Sequence, residues 1–111
     1  MIPQTTPAAL KTRLDSAAGT PEDAPFLLDV REPWEFEYCK IEGSVLIPLG
    51  QLPQRAGELP EDREIVVICH HGNRSMHAAG FLQQRFGLNV TNLQGGVAAW
   101  ASDVDPTMKQ Y

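Results

Sequence analysis

The sequence lacks the patterns that would connect it to a membrane, a metal ion or a disulfide framework. No apolar run approaches the roughly 18 residues that cross a bilayer, and residues 1–7 have no basic region followed by an apolar run, so no secretory signal is predicted. The two cysteines, Cys39 and Cys69, form no Cys-x-x-Cys pair, and with the three histidines they show no zinc-ligand spacing. We therefore expect a cytoplasmic protein with no metal and no membrane contact.

Positive charge is scarce as well. Nine Lys and Arg residues stand against 14 Asp and Glu residues, and the formal net charge is −5. No basic run is present, so the composition argues against nucleic acid as a partner. The chain does have the composition of an ordinary globular protein, with 42% hydrophobic and 21% charged residues. Its 111 residues predict one domain over residues 1–111 with a modest core.

Short apolar runs alternate with helical stretches along the chain. The predicted strands cover residues 26–30, 45–48, 65–68 and 90–93. The predicted helices open at Thr6-Pro7 and then cover residues 33–38, 49–59, 75–86 and 96–101, with Gly87 ending the fourth of them. Strands that alternate with helices predict an α/β fold with a parallel sheet.

The segment that follows the third apolar run carries the chemistry. Cys69 ends that run, and a short loop follows in which Gly72 and Asn73 are available for a positive φ. A helix is expected to start near Arg74 and Ser75. The amides of such a loop and the start of the helix form a nest for an anion, and both favour the thiolate, which is the nucleophilic form of cysteine. The alternative is a small buried cysteine that merely closes a strand.

The segment from Cys69 to Ser75 resembles the active-site loop of rhodanese domains. Residues 27–36, 41–49 and 93–100 are similar to three further signatures of that family, and the four blocks fall in family order. The resemblance spans nearly the whole chain. It implies a three-layer rhodanese-like domain, in which helices flank a central, mostly parallel sheet of about five strands. The core would cover residues 6–101, followed by an irregular C-terminal tail.

The resemblance implies a thiosulfate sulfurtransferase-like enzyme that needs no cofactor. Cys69 would take sulfane sulfur from a small sulfur-containing anion as a persulfide, and would pass it to a thiol, to cyanide or to a sulfur-carrier protein. One alternative is a sulfur-carrier or partner-binding module with little free turnover. A phosphatase or arsenate reductase on the same fold is disfavoured, because four residues separate Cys69 from Arg74, as in rhodaneses, whereas the phosphatases have one more. An inactive regulatory fold is disfavoured by the retained cysteine.

The resemblance also suggests roles for the other loop residues. The amides of His70 to Arg74 would line the anion cradle, and Arg74 would bind loop carbonyls or a neighbouring carboxylate. Ser75 would cap the helix or donate a hydrogen bond to the sulfur. His70 and His71 stand where rhodaneses vary with their substrates. They could supply partial positive charge for an anionic donor or be ordinary exposed histidines.

Residues outside the loop complete the expected site. Asp29 and Arg31 would lie near the active-site end of the sheet. Asp29 is expected in a structural role, bonding loop amides, whereas Arg31 either pairs with an acid or contacts an anion. Gly95-Gly96 would supply a tight turn, and Trp100 would pack in the core. Many family members have Gly-His where this chain has Cys39 and Lys40, so that histidine is missing. Cys39 is either a resolving thiol for a Cys69 persulfide or an incidental cysteine.

Overall fold

The computed structural model describes residues 1–111, apart from the side chain of Pro21. Within this description, five parallel strands form one sheet in the order β1-β5-β4-β2-β3. The strands are β1 (Gln4–Thr5), β2 (Phe26–Asp29), β3 (Val45–Leu46), β4 (Ile65–Ile68) and β5 (Val90–Leu93). The helices are α1 (Pro7–Ser16), α2 (Pro33–Tyr38), α3 (Leu52–Arg55), α4 (Asn73–Phe86) and α5 (Gly96–Asp103). Short 3₁₀ helices cover Pro21–Asp23, Leu49–Gln51 and Ala56–Glu58.

The predicted fold class is confirmed, and the differences are local. The edge strand β1, which no apolar run announces, pairs with β5 through Gln4↔Asn92 and Thr5↔Leu93. The helix predicted over residues 49–59 is instead α3 between two 3₁₀ helices. Helix α4 begins at Asn73 rather than near Arg74 and Ser75. Short elements such as these depend on tertiary contacts more than on sequence periodicity.

The two faces of the sheet bury two separate hydrophobic clusters. Along β4, Ile65 and Val67 point into one cluster, while Val66 and Ile68 point into the other. Alternate side chains of a strand face opposite sides, which explains why this strand is apolar at every position. Cys69 continues the alternation and belongs to the first cluster, which also contains the buried apolar residues of α4. Trp100 lies in the second cluster and is buried, as expected.

Parallel pairing brings the carboxyl ends of neighbouring strands to one edge of the sheet. Asp29 at the end of β2 is in register with Ile68 at the end of β4, and Cys69 follows directly. Ligand sites of open parallel sheets lie at this edge. Among the described residues, none of the helices has both the length and the apolar character needed to cross a membrane.

Candidate active site

The sulfur of Cys69 lies inside the loop that joins β4 to α4. The Cys69 side chain and backbone together are 1% exposed. The Gly72 N–H donates a hydrogen bond to Sγ over 3.0 Å, and the hydroxyl of Ser75 lies 3.3 Å from the same atom. Backbone and hydroxyl donors that converge on one sulfur favour negative charge there. The first turn of α4 follows immediately, and its leading N–H groups have no partner within the helix.

Gly72 adopts the conformation that turns its amide towards the sulfur. Its φ is +102°, and a Cβ atom at this position would lie 3.2 Å from the Gly95 nitrogen. Glycine reaches this left-handed region without the strain that other residues would meet. Asn73 was also expected to be free for a positive φ, but it begins α4, and no residue other than glycine has a positive φ in the described chain.

The turn at Gly95-Gly96 places the start of α5 in hydrogen-bonding contact with the Cys69 loop. The Val97 amide donates to the Cys69 carbonyl over 2.9 Å, and the Ala98 amide donates to the His70 carbonyl over 3.0 Å. A Cβ atom on Gly96 would overlap the carbonyl oxygens of both loop residues. Gly95 and Gly96 have φ values of +79° and +58°, so the predicted tight turn is confirmed. The two hydrogen bonds fix the backbone of Cys69 and His70 against the start of α5.

A buried polar group supports the other side of the loop. Asn92 of β5 is 1% exposed, and its Nδ2 donates to the Gly72 carbonyl over 3.2 Å and to Gln4 Oε1 over 3.1 Å. The Ser75 hydroxyl contacts both Asn92 Oδ1 and Cys69 Sγ. A hydroxyl has one proton to donate, so Ser75 serves either the amide or the sulfur at any moment.

Arg74 binds a carboxylate, one of the two partners expected for it. Its Nη1 and Nη2 donate to Oε1 and Oε2 of Glu35 over 2.7 and 2.8 Å, in the bidentate geometry that favours arginine. Glu35 belongs to α2, is 4% exposed and also accepts the Glu32 N–H over 2.8 Å. The bonds from Arg74 hold the pKa of Glu35 at about 2, although burial opposes this shift. The same pair raises the pKa of Arg74.

Arg31 is placed as a structural residue rather than as a contact for an anion. Arg31 and Asp29 are both 0% exposed. The guanidinium binds both carboxylate oxygens of Asp29, the Cys39 carbonyl over 2.6 Å and the Tyr111 hydroxyl over 2.9 Å. Burial alone would lower the pKa of Arg31, but the bonds to Asp29 and Tyr111 raise it. Of the two roles left open for Arg31, pairing with an acid is the one seen here, because the buried guanidinium binds Asp29 and is surrounded by protein acceptors.

The two histidines form a stack beside Cys69. The ring centroids of His70 and His71 are 3.9 Å apart, and Tyr111 stacks on the other side of His70 at 3.9 Å with an interplanar angle of 11°. Burial lowers the pKa of His70, and the proximity of His71 lowers it further. The lowered pKa disfavours the protonated imidazole, and with it the positive charge that His70 could have supplied to an anionic donor. His71 is exposed.

Cys39 lies at the end of α2, in the hydrophobic cluster on the face of the sheet opposite to Cys69. Both cysteines are free thiols. The nearest donor to Cys39 Sγ is Nη1 of Arg31 at 3.7 Å. Placement on opposite faces does not favour Cys39 as a resolving thiol for Cys69. In the described part of the chain, no group of three His, Cys, Asp or Glu residues is arranged to hold a metal ion.

Three residues that support the loop were not predicted from the sequence. Glu35 binds Arg74, Asn92 binds Gly72, and Tyr111 stacks on His70. Asn92 carries a detectable signal, because a polar side chain inside a strand with apolar neighbours needs a buried partner. Glu35 and Tyr111 carry none, since a glutamate on a short helix and a tyrosine in an irregular segment are ordinary surface patterns.

Comparison with known proteins agrees with this geometry. The family model for the Rhodanese-like domain matches residues 6–103. The "Putative sulfur carrier protein YrkF" of Bacillus subtilis is 38% identical over 104 residues; the match covers 94% of this chain but only about half, 54%, of the relative. A "Sulfurtransferase" of Allochromatium vinosum is 39% identical over 75 residues, covering 68% of this chain and 70% of the relative. The crystal structure of a rhodanese-related protein from Thermoplasma volcanium is 34% identical with a TM-score of 0.80, covering 92% of this chain and 93% of that one.

Proposed function

The chain belongs to the rhodanese-like domain family, and from this premise we propose that it is a sulfurtransferase that carries sulfane sulfur on Cys69. The observation that carries the proposal is the donor set around Sγ, with the Gly72 amide at 3.0 Å and the Ser75 hydroxyl at 3.3 Å. A relative named sulfurtransferase and another named sulfur carrier support the same chemistry.

The proposed reaction proceeds by two displacements at sulfur. The Cys69 thiolate attacks the outer sulfur of a donor such as thiosulfate, a new S–S bond forms, and sulfite leaves with the electron pair of the bond that breaks. A nucleophilic acceptor then attacks the outer sulfur of the persulfide, and the Cys69 thiolate leaves with its electron pair. Neither step needs an external oxidant, a metal ion or a cofactor.

The loop suits both charged states of this cycle. The amide of Gly72 stabilises negative charge on Sγ before the first step, and amides at the start of α4 are in position to stabilise the outer sulfur of the persulfide. The Ser75 hydroxyl can rotate to donate its hydrogen bond to either Asn92 Oδ1 or Sγ as the charge on the sulfur changes. The pair of Arg74 and Glu35 holds the start of α4 to α2, which keeps these donors in place.

The donor and acceptor follow from the same chemistry. A donor must present an electrophilic sulfane sulfur, as thiosulfate, polysulfide and persulfidated thiols do. An acceptor must be a nucleophile, such as a thiol, cyanide or the terminal group of a sulfur-carrier protein. The relative named sulfur carrier favours a second form of the proposal, in which the chain loads sulfur readily but releases it only to a protein acceptor.

The proposal is tested by the intact mass of the protein after incubation with thiosulfate, polysulfide or glutathione persulfide. We expect a mass increase of one sulfur atom that is lost in Cys69→Ser and kept in Cys39→Ser. Absence of a Cys69-dependent adduct with all three donors would contradict the proposal. Adding cyanide or a sulfur-carrier protein to the loaded form separates the two versions, because the carrier version transfers sulfur only to the protein.

The phosphatase alternative has its own test. An aryl phosphate is incubated with the parent chain and with Cys69→Ser, and the released phenol is measured. We expect no turnover above background from either, since the loop between Cys69 and Arg74 has the shorter, rhodanese-like length. Turnover in the parent that disappears in Cys69→Ser would replace sulfur transfer with phosphoryl transfer as the better function.

A further inference from the structure

Tyr111 packs against the Cys69 loop, a position that no sequence motif predicts for it. Its ring lies flat on the imidazole of His70, with centroids 3.9 Å apart. It also meets the rings of Trp34 and Tyr38 edge-on at 5.5 and 5.8 Å. One flat contact and two edge contacts determine both the position and the tilt of a ring. His70 directly follows Cys69 in the chain, so Tyr111 contacts the loop that holds the sulfur.

The hydroxyl of Tyr111 joins the same network from another direction. It accepts a hydrogen bond from Arg31 Nη1 over 2.9 Å and donates one to Glu35 Oε2 over 2.8 Å. The Glu35 oxygen that Tyr111 binds also accepts from Nη2 of Arg74. Burial raises the pKa of Tyr111 to about 12, and the Arg31 bond only partly offsets this shift, so the hydroxyl keeps its proton at any working pH. Tyr111 thus contacts His70 of the loop through its ring and Glu35, the partner of Arg74, through its hydroxyl.

We propose that Tyr111 is a positioning residue for the Cys69 loop, holding the His70 ring with its own ring and the Glu35 carboxylate with its hydroxyl. This inference rests on the proposed function of Cys69, because a positioned loop matters only if the sulfur reacts. Without Tyr111, His70 is free to change rotamer and Glu35 loses one of the bonds that orient it towards Arg74. The donors around Sγ then become less well aligned, so attack on a bound donor slows while donor binding changes little.

Tyr111 also forms part of the wall of a small cavity that the second thiol lines. The cavity has a volume of about 120 Å³, and its walls include Cys39, His70, Val97 and Tyr111. Cys39 is 9% exposed beneath it. Removal of the ring would take away part of this wall and admit more water to Cys39. The alkylation rate of Cys39 therefore shows whether Tyr111 is in place, independently of any sulfur transfer.

The pKa of His70 is a second measure of whether the Tyr111 ring is in place. The titratable and charged groups that face it are His71 from the same loop, Glu35 from α2, Arg74 from α4 and Tyr111. Burial is the largest cause of its lowered pKa. Loss of the Tyr111 ring exposes the imidazole, and its pKa should then rise towards the ordinary value for histidine.

The experiment compares Tyr111→Leu, which loses the ring and the hydroxyl, with Tyr111→Phe, which loses the hydroxyl only. Phe86→Leu serves as the matched control, because Phe86 is an exposed aromatic residue at the far end of α4. The readouts are the NMR titration of His70, the rate of Cys69 loading against thiosulfate concentration, and the alkylation rate of Cys39 in a Cys69→Ser background. Alkylation of Cys69 in a Cys39→Ser background measures the loop itself.

For Tyr111→Leu we expect a higher pKa for His70, faster alkylation of Cys39 and altered alkylation of Cys69. Loading at saturating donor should fall on the order of tenfold, with a half-saturating concentration changed less than about twofold. Tyr111→Phe should keep the His70 titration and lower the loading rate by about threefold. Phe86→Leu should match the parent in every readout.

The proposal is overturned if Tyr111→Leu leaves the His70 titration and the Cys69 alkylation rate as they are in Phe86→Leu. A rise in half-saturating donor with no change in the saturated rate would also overturn it, since Tyr111 would then act on binding. If the parent chain forms no sulfur adduct, the proposed function fails, but the His70 titration and the two alkylation rates still decide the role of Tyr111.

Discussion

The two cysteines lie in surroundings of different kinds, although both are free and buried. Cys69 is 1% exposed and Cys39 is 9% exposed. A backbone amide donates to the sulfur of Cys69 at 3.0 Å, whereas the nearest donor to Cys39 is a guanidinium nitrogen at 3.7 Å that is engaged elsewhere. Burial does not distinguish a nucleophile from a structural thiol. The difference lies in the Gly72 amide and the Ser75 hydroxyl, which the loop holds next to the sulfur of Cys69.

The contacts that hold the backbone around each of the two thiols also differ. The Cys69 loop is held by the start of α5, by Asn92 of β5 and by the pair of Arg74 and Glu35. The corner at Cys39 is held mainly through its carbonyl, which accepts from Arg31. Changes in the frame of the loop should therefore affect sulfur chemistry strongly, and changes at Cys39 should not.

The largest effect is expected from Gly96→Ala. The new methyl group would overlap the carbonyls of Cys69 and His70, at a φ of +58° that suits glycine. We expect the free energy of unfolding to fall by about 3 kcal/mol or more, and sulfur loading to be lost. Urea denaturation and the intact-mass assay measure the two effects.

Gly80→Ala is the matched control for Gly96→Ala. Gly80 lies inside α4, and a Cβ atom there would meet nothing within 4 Å. The same substitution should raise the free energy of unfolding by about 0.5–1 kcal/mol, because alanine is the better helix former. Equal stabilities for the two alanine variants would show that the loop does not depend on close approach of α5.

The next effect is expected from Glu35→Gln, which removes the charge that Arg74 binds. The loss of a buried partner should lower the free energy of unfolding by about 2–3 kcal/mol and slow sulfur loading on the order of tenfold. Glu58→Gln removes the carboxylate from an exposed pair with Arg55. Because surface pairs contribute little, this variant should keep the free energy of unfolding close to that of the parent. Denaturant unfolding and loading kinetics of both variants provide the comparison; similar values would mean that the bond from Arg74 is as weak as a surface pair.

A smaller effect follows from the pKa of Glu35. The folded value of about 2 lies below the ordinary 4.5, so the unfolded chain binds the proton more readily. The stabilisation is complete above about pH 4.5 and is lost as the pH falls towards about 2. We expect a loss of about 2 kcal/mol, reduced from the full shift because Arg74 is partly exposed to water. Urea unfolding from about pH 6 to about pH 3 should show a shallower decline in Glu35→Gln than in the parent.

The smallest effect is expected from Cys39→Ser. Its sulfur accepts no backbone bond in the described contacts, and it lies on the opposite face of the sheet from Cys69. Sulfur loading should stay within about twofold of the parent, with about 1 kcal/mol lost in stability because a hydroxyl replaces a buried thiol. A much larger fall in loading would mean that Cys39 takes part in the chemistry at Cys69, which would contradict the difference drawn between the two thiols.

Much of the site could be predicted because its chemistry is local in the chain. Cys69, Gly72 and Ser75 lie within one strand-loop-helix unit, so a buried strand, a glycine and a helix start were enough to bring them together. The role of Arg31 was not predictable in the same way. A charged residue after a strand is compatible with an exposed anion contact or with a buried pair, and only its 0% exposure decides between them.

By itself, the sequence determined the alternation of strands and helices, the position of the Cys69 loop and the glycines that shape it, because each depends on neighbouring residues. The tertiary structure alone decided which distant side chains brace that loop. Glu35 is 39 positions from Arg74, and Tyr111 is 76 positions from Glu35. Such pairs meet because packing of the whole sheet brings their elements together, and no local pattern in the chain records that distance.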